Sequence, residues 1–314
     1  MIGVPRTAAV AFCLLAMAAC HSGMAGLPTA SVELQGHRGA RGLMPENTIP
    51  AFIRALEAGA DTMEMDAVIT ADEKVVVSHE PFFSARICSK PDGSAVTEQE
   101  EHDLNIYTMA SDEVALFECG SRGNPTFPRQ QRAPVAKPLL VDAIRAIEQW
   151  AKDHGRQTVK YNIEIKSRPA WDGIYHPSPE RYAELLHRVV TGEGIRDRTT
   201  IQSFDPRALE AMHVRDAGQT LSYLVDNIAS VATNLAQLSF SPATYSPSHR
   251  RVNSAMVLQL HEAGMRVIPW TVNDEATMRR LIDLGVDGLI TDYPDLGRKV
   301  IDEAAGLNKP VRKP

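Results

Sequence analysis

Apolar bursts alternate with amphipathic stretches along the chain from Val32 onward. In residues 48–58, apolar side chains recur at the spacing of one helix face, and Gly59 follows. Patterns of this kind predict eight helices, at 48–58, 139–152, 179–190, 206–217, 228–237, 254–263, 275–284 and 295–305. Short apolar runs between them predict eight strands, at 34–37, 62–68, 159–166, 199–203, 220–225, 244–246, 266–271 and 288–291.

This alternation indicates the α/β class, and eight strand–helix units favour a (β/α)8 TIM barrel over residues 32–305. A β-branched run at 74–78 predicts a hairpin arm on the second strand. Residues 81–137 are rich in Pro, Gly, Ser and Asn, so we interpret them as an insertion after the second strand. An open doubly wound sheet is the competing architecture, but no glycine-rich dinucleotide fingerprint follows the first strand.

The composition is that of a globular protein, with 44% hydrophobic and 23% charged residues among 314. The formal net charge of −6 disfavours a nucleic-acid backbone as the main partner, because proteins that bind one usually carry a basic patch. A small phosphate ester stays compatible with this charge, since a metal ion and a few placed cations can bind it inside an acidic protein.

The amino terminus has the features of a secretory leader, which we assign to residues 1–20. Arg6 supplies a positive start, and the apolar run 8–19 ends at Cys20. This run is shorter than the roughly 20 residues that a helix needs to cross a bilayer. The residues before Cys20 also resemble a bacterial lipoprotein box, with Met17 as an imperfect match. We therefore expect an exported bacterial protein, either periplasmic or anchored to the membrane through a lipid on Cys20.

Export would place the chain in an oxidising compartment, where cysteines pair. Cys13 would be removed with the leader, and Cys20 would be blocked if it carries a lipid. The cysteines still able to pair are then Cys88 and Cys119, both in the loop-rich insertion. We expect these two cysteines to form a disulfide, and the alternative is a pair of free buried thiols.

Polar side chains stand at the ends of several predicted strands, where the active site of such a barrel is built. In chain order they are His37 and Arg38, Glu64 and Asp66, Glu164 and Lys166, Gln202 and Ser203, Trp270, and Asp292. His79 ends the hairpin arm. Because strand side chains alternate, Glu64 and Asp66 point to the same side, and their like charges need a compensating cation or proton.

The types of these residues indicate phosphoryl chemistry. Glu64, Asp66 and Glu164 make a hard oxygen site that suits Ca²⁺ or Mg²⁺ better than zinc. His37 and His79 flank that site and can act as general acid and base near neutral pH. Two cations that can bind a phosphate complete the set, Arg38 and Lys166.

An ordered set of motifs resembles the signature of the glycerophosphodiester phosphodiesterase family. The motifs are Gly36-His37-Arg38-Gly39-Ala40, Pro45-Glu46-Asn47-Thr48, Gly59-Ala60-Asp61, Glu64-x-Asp66, Thr70-x-Asp72 and His79, then the segments 162–166, 202–205, 269–273 and 285–294. The resemblance runs from about residue 35 to 300, and the order makes the set specific although each motif alone is weak.

The resemblance implies a role for each site residue. Acid/base catalysis would fall to His37 and His79, metal binding to Glu64, Asp66 and Glu164, and phosphate contacts to Arg38 and Lys166. The cofactor would be a divalent cation, Ca²⁺ or Mg²⁺, and the insertion at 81–137 would shape the substrate pocket. One departure is visible, since Glu80 stands where the family usually has Asp after the second histidine.

The implied reaction converts a small-molecule glycerophosphodiester into glycerol 3-phosphate and an alcohol outside the cytoplasm. Two other functions stay open. A lysophospholipase D-like phosphodiesterase would need an apolar mouth around residues 81–137, which are mostly polar. A non-catalytic surface lipoprotein on the same barrel would be expected to have lost a histidine or a carboxylate, and none is missing.

Four further residues carry smaller expectations. Trp270 at the end of a strand fits a wall of the glycerol pocket better than a core filler. His176 is the one remaining histidine that we weigh as a contributor to the substrate mouth, although we favour a structural role for it. Asn47 and Thr48 precede a predicted helix, and we expect both to cap it.

Overall fold

The computed structural model describes residues 1–3, 32–156 and 158–307. Apart from its first three residues, the predicted leader lies outside them, and so does the lipidation site predicted at Cys20. Contacts divide the chain into the units Met1–Ala30 and Ser31–Pro314, and the second contains all helices and strands of the described residues. None of the helices in these ranges is long and apolar enough to cross a bilayer.

Nine strands and nine α-helices make up the described part of the second unit. The strands are β1 Glu33–Gly36, β2 Thr62–Ile69, β3 Val75–Val77, β4 Lys160–Ile165, β5 Thr199–Ser203, β6 Thr220–Val225, β7 Thr244–Pro247, β8 Arg266–Val267 and β9 Gly288–Thr291. The helices are α1 Ile49–Glu57, α2 Ser111–Val114, α3 Leu140–Asp153, α4 Pro179–Gly192, α5 Pro206–Arg215, α6 Val231–Leu235, α7 Ser254–Glu262, α8 Glu275–Asp283 and α9 Pro294–Ala304.

Eight of the strands form a parallel sheet in the order β8-β7-β6-β5-β4-β2-β1-β9, and β3 pairs antiparallel with β2 as the predicted hairpin arm. Backbone hydrogen bonds also join the two ends of this order. The N–H of Asp287 donates to Val267 O at 2.9 Å, and that of Ile290 donates to Pro269 O at 3.0 Å. The fold is therefore the predicted (β/α)8 barrel, nearly closed, with helices around its strands.

The short helix α2 was not predicted, and two predicted elements differ clearly in extent from the sequence prediction. The strand predicted at 266–271 is regular only over β8, because Pro269 has no N–H to donate, although Ile268 and Trp270 still donate backbone hydrogen bonds to Tyr245 O and Pro247 O. The helix predicted at 228–237 is shortened to α6, because the Ser230 side chain accepts a backbone N–H of the first turn and so fixes a later start.

The insertion has a hydrophobic core of its own. Phe83 stacks on Phe117 with ring centroids 3.8 Å apart, and the predicted disulfide joins Cys88 to Cys119. These side chains pack together with Val76 of β3, which fixes the insertion to the hairpin arm. Residues without helical or strand periodicity thus become an ordered wall beside the barrel.

Candidate active site

The loop after β1 folds tightly against α1. A Cβ added to Gly36 would lie 2.3 Å from Gly39 O, and one added to Gly39 would lie 2.6 Å from the backbone of Ala51, so the close approach requires glycine. Between them, Arg38 adopts a left-handed φ of 49°. Its backbone N–H donates to Glu64 Oε2 at 2.8 Å. This turn places His37 and Arg38 beside the carboxylates of β2.

The carboxylates of Glu64, Asp66 and Glu164 converge as predicted. The strands β2 and β4 are parallel neighbours in which Asp66 pairs with Glu164, and strand alternation puts Glu64 on the same side. Each of the three offers an oxygen within 4.8 Å of those of the others, and all three side chains are buried. Gln202 Nε2 donates to Glu64 Oε1 at 2.9 Å and fixes one member of the cluster.

The three buried carboxylates repel one another unless a cation or protons compensate their charge. Burial and the neighbouring Asp66 raise the pKa of Glu64 well above its usual value, and burial raises the pKa of Glu164 to about 7. Burial also acts to raise the pKa of Asp66, but the charges of His79 and Lys166 outweigh it and lower that pKa. Asp66 Oδ1 is buried and has no hydrogen-bond partner among the described residues. These features fit a divalent ion held by the three carboxylates.

Asn47 holds Asp66 in place and does not cap α1, so the capping prediction is wrong for this residue. The cap is Thr48, whose Oγ1 accepts the N–H of Ala51 at 3.4 Å. Asn47 has a left-handed φ of 57°, which turns its side chain into the site. Its Nδ2 donates to Asp66 Oδ2 at 2.8 Å, and its Oδ1 accepts the Asp66 N–H at 3.2 Å. Asparagine tolerates this backbone better than most residues, which is the sequence signal for the position.

His37 is oriented by Asp292, to which the sequence assigned no role. Its Nδ1 lies 2.6 Å from Asp292 Oδ1. Asp292 also accepts hydrogen bonds from Arg41 Nε at 2.8 Å and Asn273 Nδ2 at 2.7 Å. Burial lowers the pKa of His37 to about 4, although Asp292 opposes this shift. With Nδ1–H given to Asp292, the neutral ring has its Nε2 lone pair free, 4.0 Å from Glu64 Oε2.

His79 is oriented by Glu80, the position at which the chain departs from the family pattern. His79 Nδ1 lies 2.6 Å from Glu80 Oε1, so the longer side chain still reaches the ring. Burial acts to raise the pKa of Glu80, but the hydrogen bond from His79 outweighs it and lowers the pKa to about 2. Burial and the charge of Arg38 lower the pKa of His79 itself.

Both predicted phosphate contacts, Arg38 and Lys166, also neutralise carboxylates. Arg38 Nη1 donates to Glu46 Oε1 at 2.7 Å, and its Nε lies 3.3 Å from Asp66 Oδ2. Lys166 Nζ donates to Glu164 Oε1 at 2.8 Å. Arg38 lines the cavity described next, whereas Lys166 is not part of its wall.

A catalytic cavity of about 200 Å³ opens among these groups. Its charged or polar lining residues are His37, Arg38, Arg41, Glu64, His79, Glu164 and Gln202. Its apolar lining residues are Phe204, Leu224, Trp270 and Ile290. Trp270 meets Phe204 edge to face with centroids 5.2 Å apart, and its Nε1 donates to Ser246 O at 2.9 Å. Trp270 thus forms part of a cavity wall, where the sequence placed it.

The sequence profile of the glycerophosphoryl diester phosphodiesterase family matches residues 37–296, a segment that begins at His37 and contains the whole catalytic cavity. The chain belongs to this family. It is an enzyme of the glycerophosphodiester phosphodiesterase type.

Individual relatives and solved structures are similar to this chain over most of its length. A glycerophosphodiester phosphodiesterase of Bacillus subtilis is 28% identical over 269 residues, with 84% of each chain covered. A lysophospholipase D of Mus musculus is 25% identical over 290 residues, with 82% of each covered. A crystal structure from Silicibacter pomeroyi has a TM-score of 0.77 at 27% identity, covering 89% of this chain and 96% of that one. An Oleispira antarctica phosphodiesterase, solved with the product sn-glycerol-3-phosphate, has a TM-score of 0.68 at 23% identity, covering 86% and 96%, and shows the shared fold.

His176 does not reach the substrate mouth of this phosphodiesterase. Its side chain is buried, its Nδ1 lies 2.7 Å from Pro177 O, and its Nε2 accepts the N–H of Arg168 at 3.1 Å. Both ring nitrogens are therefore used to hold the loop after β4, which is the structural role favoured for this histidine from the sequence.

Replacement of Asn47 by Gly should weaken divalent-cation binding. Glycine adopts the left-handed backbone without strain, but it cannot hold Asp66 from two sides. We expect the Kd for Ca²⁺ or Mg²⁺ to rise about 10- to 100-fold, as measured by titration calorimetry. The matched control is Glu73→Gly, because Glu73 has a left-handed φ of 58° in the turn between β2 and β3. A Kd equal to that of the control would show that the hydrogen bonds from Asn47 to Asp66 do not contribute to cation binding.

Proposed function

We propose that this enzyme hydrolyses glycerophosphodiesters to glycerol 3-phosphate and an alcohol with the help of a bound Ca²⁺ or Mg²⁺. The observation that carries the proposal is that two carboxylate-oriented histidines line one cavity together with Glu64 and Glu164, and that Asp66 completes a cluster of three buried carboxylates with these two. Family membership supports a diester of this class, and the Bacillus subtilis relative is named for the same activity.

The divalent ion would be held by Glu64, Asp66 and Glu164, whose oxygens suit a hard cation. When bound, such an ion polarises a phosphoryl oxygen and stabilises the negative charge that develops during the displacement. Arg38 adds a fixed positive charge to the wall of the catalytic cavity. The apolar wall with Phe204 and Trp270 would pack against the carbon skeleton of the glycerol.

The two histidines are suited to different proton transfers. His37 is the better base, because its ring is neutral and its Nε2 lone pair is free to take a proton from the attacking hydroxyl. That hydroxyl belongs either to water or to the glycerol itself, which would give a cyclic phosphate that water opens later. His79 is the better acid. Its partner Glu80 accepts no hydrogen bond from another described side chain, whereas Asp292 is shared with Arg41 and Asn273.

Lysophospholipase D activity, the function of the mouse relative, is not favoured by the structure. Such a substrate carries an acyl chain and needs an apolar channel. The groove between the barrel and the insertion contains three arginines and four glutamates, as its lining shows: Arg38, Arg41, Arg86, Glu46, Glu80, Glu98 and Glu101. We therefore keep the smaller diester as the proposed substrate.

The enzyme is also proposed to work outside the cytoplasm. The Cys88–Cys119 disulfide supports this, because disulfides persist in oxidising compartments. The leader pattern at residues 1–20 points the same way. Fractionation of cells that express the full chain would test it, and recovery of the intact leader in the cytoplasm would contradict it. Release of a membrane-bound form by Cys20→Ala would identify a lipid anchor.

Release of glycerol 3-phosphate from a panel of diesters tests the proposed reaction. The panel carries choline, ethanolamine, glycerol and inositol as alcohols, with Ca²⁺ and Mg²⁺ compared. We expect metal-supported release from at least one diester, detected by a coupled glycerol 3-phosphate dehydrogenase. If neither ion supports release from any of the four, the proposed reaction is wrong.

A further inference from the structure

A second and larger cavity adjoins the catalytic one. Its volume is about 750 Å³, and we call it the insertion groove because much of its wall comes from the insertion, including Phe82, Ser84, Arg86, Glu98, Glu101 and Asn124. Arg38 and Arg41 line both cavities, so the two are direct neighbours. No step of the reaction described above uses the insertion side of this groove.

The position of His79 indicates what the groove contains during the reaction. His79 lines the catalytic cavity, and the next residue, Glu80, lines the insertion groove. The acid that protonates the leaving alkoxide therefore stands where the two cavities meet. If glycerol and phosphate occupy the cavity of about 200 Å³, the adjoining groove of about 750 Å³ is the space that the leaving alcohol can reach.

The groove lacks the features that recognise a cationic alcohol such as choline. Among its four carboxylates, Glu46 already accepts a hydrogen bond from Arg38 at 2.7 Å, and Glu101 already accepts one from the N–H of Ala85 at 2.8 Å. Its one aromatic lining residue, Phe82, is buried with its ring centroid 4.4 Å from that of His102. A single covered ring does not form the aromatic cage that binds quaternary ammonium groups.

The groove instead offers uncommitted hydrogen-bonding groups. Asn124 is only 8% exposed, and its Oδ1 accepts the N–H of Thr126 at 3.1 Å. Its Nδ2 has no hydrogen-bond partner among the described residues, although the side chain lines the groove. The side chains of Arg86 and Glu98 also line it, and neither forms an ion pair within the described ranges. Such a set of donors and acceptors, with nearly balanced charge, suits a neutral alcohol that has many hydroxyls.

We propose that the insertion groove binds the leaving alcohol and selects a polyol of the size of inositol over choline or ethanolamine. This rests on the proposed hydrolysis of glycerophosphodiesters and specifies its substrate. A site built to hydrogen-bond hydroxyls discriminates against analogues that lack them, because a mostly buried donor such as the Asn124 amide is then left unpaired.

The wild-type enzyme gives the first test. We expect kcat/KM for glycerol 3-phosphate release from glycerophosphoinositol to exceed that from glycerophosphocholine by about tenfold, with the metal ion saturating. Equal values, or a preference for the choline ester, would overturn the selection of a polyol. Failure to hydrolyse any diester would instead overturn the proposed reaction, so the two failures are distinct.

The variant Asn124→Asp gives the second test. It keeps Oδ1 as the acceptor for Thr126 N–H, so the local turn is preserved, but it removes the free donor and adds a negative charge. We expect kcat/KM for the inositol ester to fall about fivefold, mainly through KM, while the choline ester is unchanged or improved. A kcat/KM for the inositol ester equal to that of the wild type would contradict the proposal. An equal fall in kcat/KM for both esters in a folded variant would contradict it as well.

Two controls keep this test informative. Gln99→Glu makes the same amide-to-carboxylate change on the insertion, at an exposed position that does not line the groove, and should leave both esters unaffected. If Asn124→Asp folds poorly, Arg86→Ala removes a second free donor at an exposed position and should lower the same ratio of inositol to choline activity. An unchanged ratio in Arg86→Ala would then contradict the proposal.

Discussion

Replacement of His37 by Ala should lower kcat by about 10³-fold, with metal binding largely intact. Nε2 of His37 is the base beside the carboxylate cluster, because its Nδ1 is directed at Asp292, and the other histidine of the cavity, His79, is proposed to serve as the acid. The metal should still bind, because His37 Nε2 lies 4.0 Å from Glu64 Oε2 and the three carboxylates stay in place. Single-turnover kinetics and metal titration on the same preparation measure both effects.

The control for this variant is His154→Ala. His154 is exposed at the carboxyl-terminal cap of α3, away from the catalytic cavity, and its loss should leave kcat unchanged. Added imidazole should restore part of the activity of the His37 variant, because a free base can occupy the vacated space. Residual activity within about tenfold of wild type, without imidazole, would remove His37 from the acid/base role.

Removal of the divalent ion should abolish hydrolysis and also lower the melting temperature. Glu64, Asp66 and Glu164 are buried together, so their mutual repulsion is relieved only when a cation or protons compensate it. An ion that binds only the folded state stabilises it by about 2.7 kcal/mol when its concentration is 100 times the Kd. We expect excess chelator to stop glycerol 3-phosphate release, and Ca²⁺ or Mg²⁺ to restore both the activity and the melting temperature.

Asp66→Asn separates the loss of a ligand from a general effect of chelator. This variant should lose the metal-dependent rise in melting temperature, because the amide offers a weaker ligand to a hard cation. Asp112→Asn, an exposed carboxylate on α2, is the matched control and should keep that rise. Full activity of the wild-type enzyme in excess chelator would rule out the three-carboxylate metal site for catalysis.

Local patterns were sufficient for the barrel and for the carboxylate cluster. Glu64 and Asp66 are two residues apart on one strand, so they share a face in any strand, whatever its neighbours. Glu164 ends the next parallel strand, and parallel strands that follow one another usually lie side by side. These relations depend on short spacings and on the rules of strand pairing, which a sequence carries directly.

The carboxylate partners of the two histidines differ in how far they could be predicted from the sequence. Glu80 follows His79 directly, so its contact with that ring is local. Asp292 reaches His37 across 255 residues, and only the pairing of β9 with β1 brings them together. Asn47 could not be assigned either, because the choice between capping α1 and holding Asp66 depends on its left-handed φ of 57°.

The sequence by itself determined the class of chemistry, the eight-unit barrel and the residues that meet at its strand ends. Those features follow from periodicity and from residue type, which are local properties of the chain. Only the tertiary structure decided how the insertion at 81–137 is used, because that segment has weak periodicity and acquires its shape from its own core and the Cys88–Cys119 disulfide. Packing of this wall against the barrel creates the insertion groove, a space whose walls come from residues far apart in the chain.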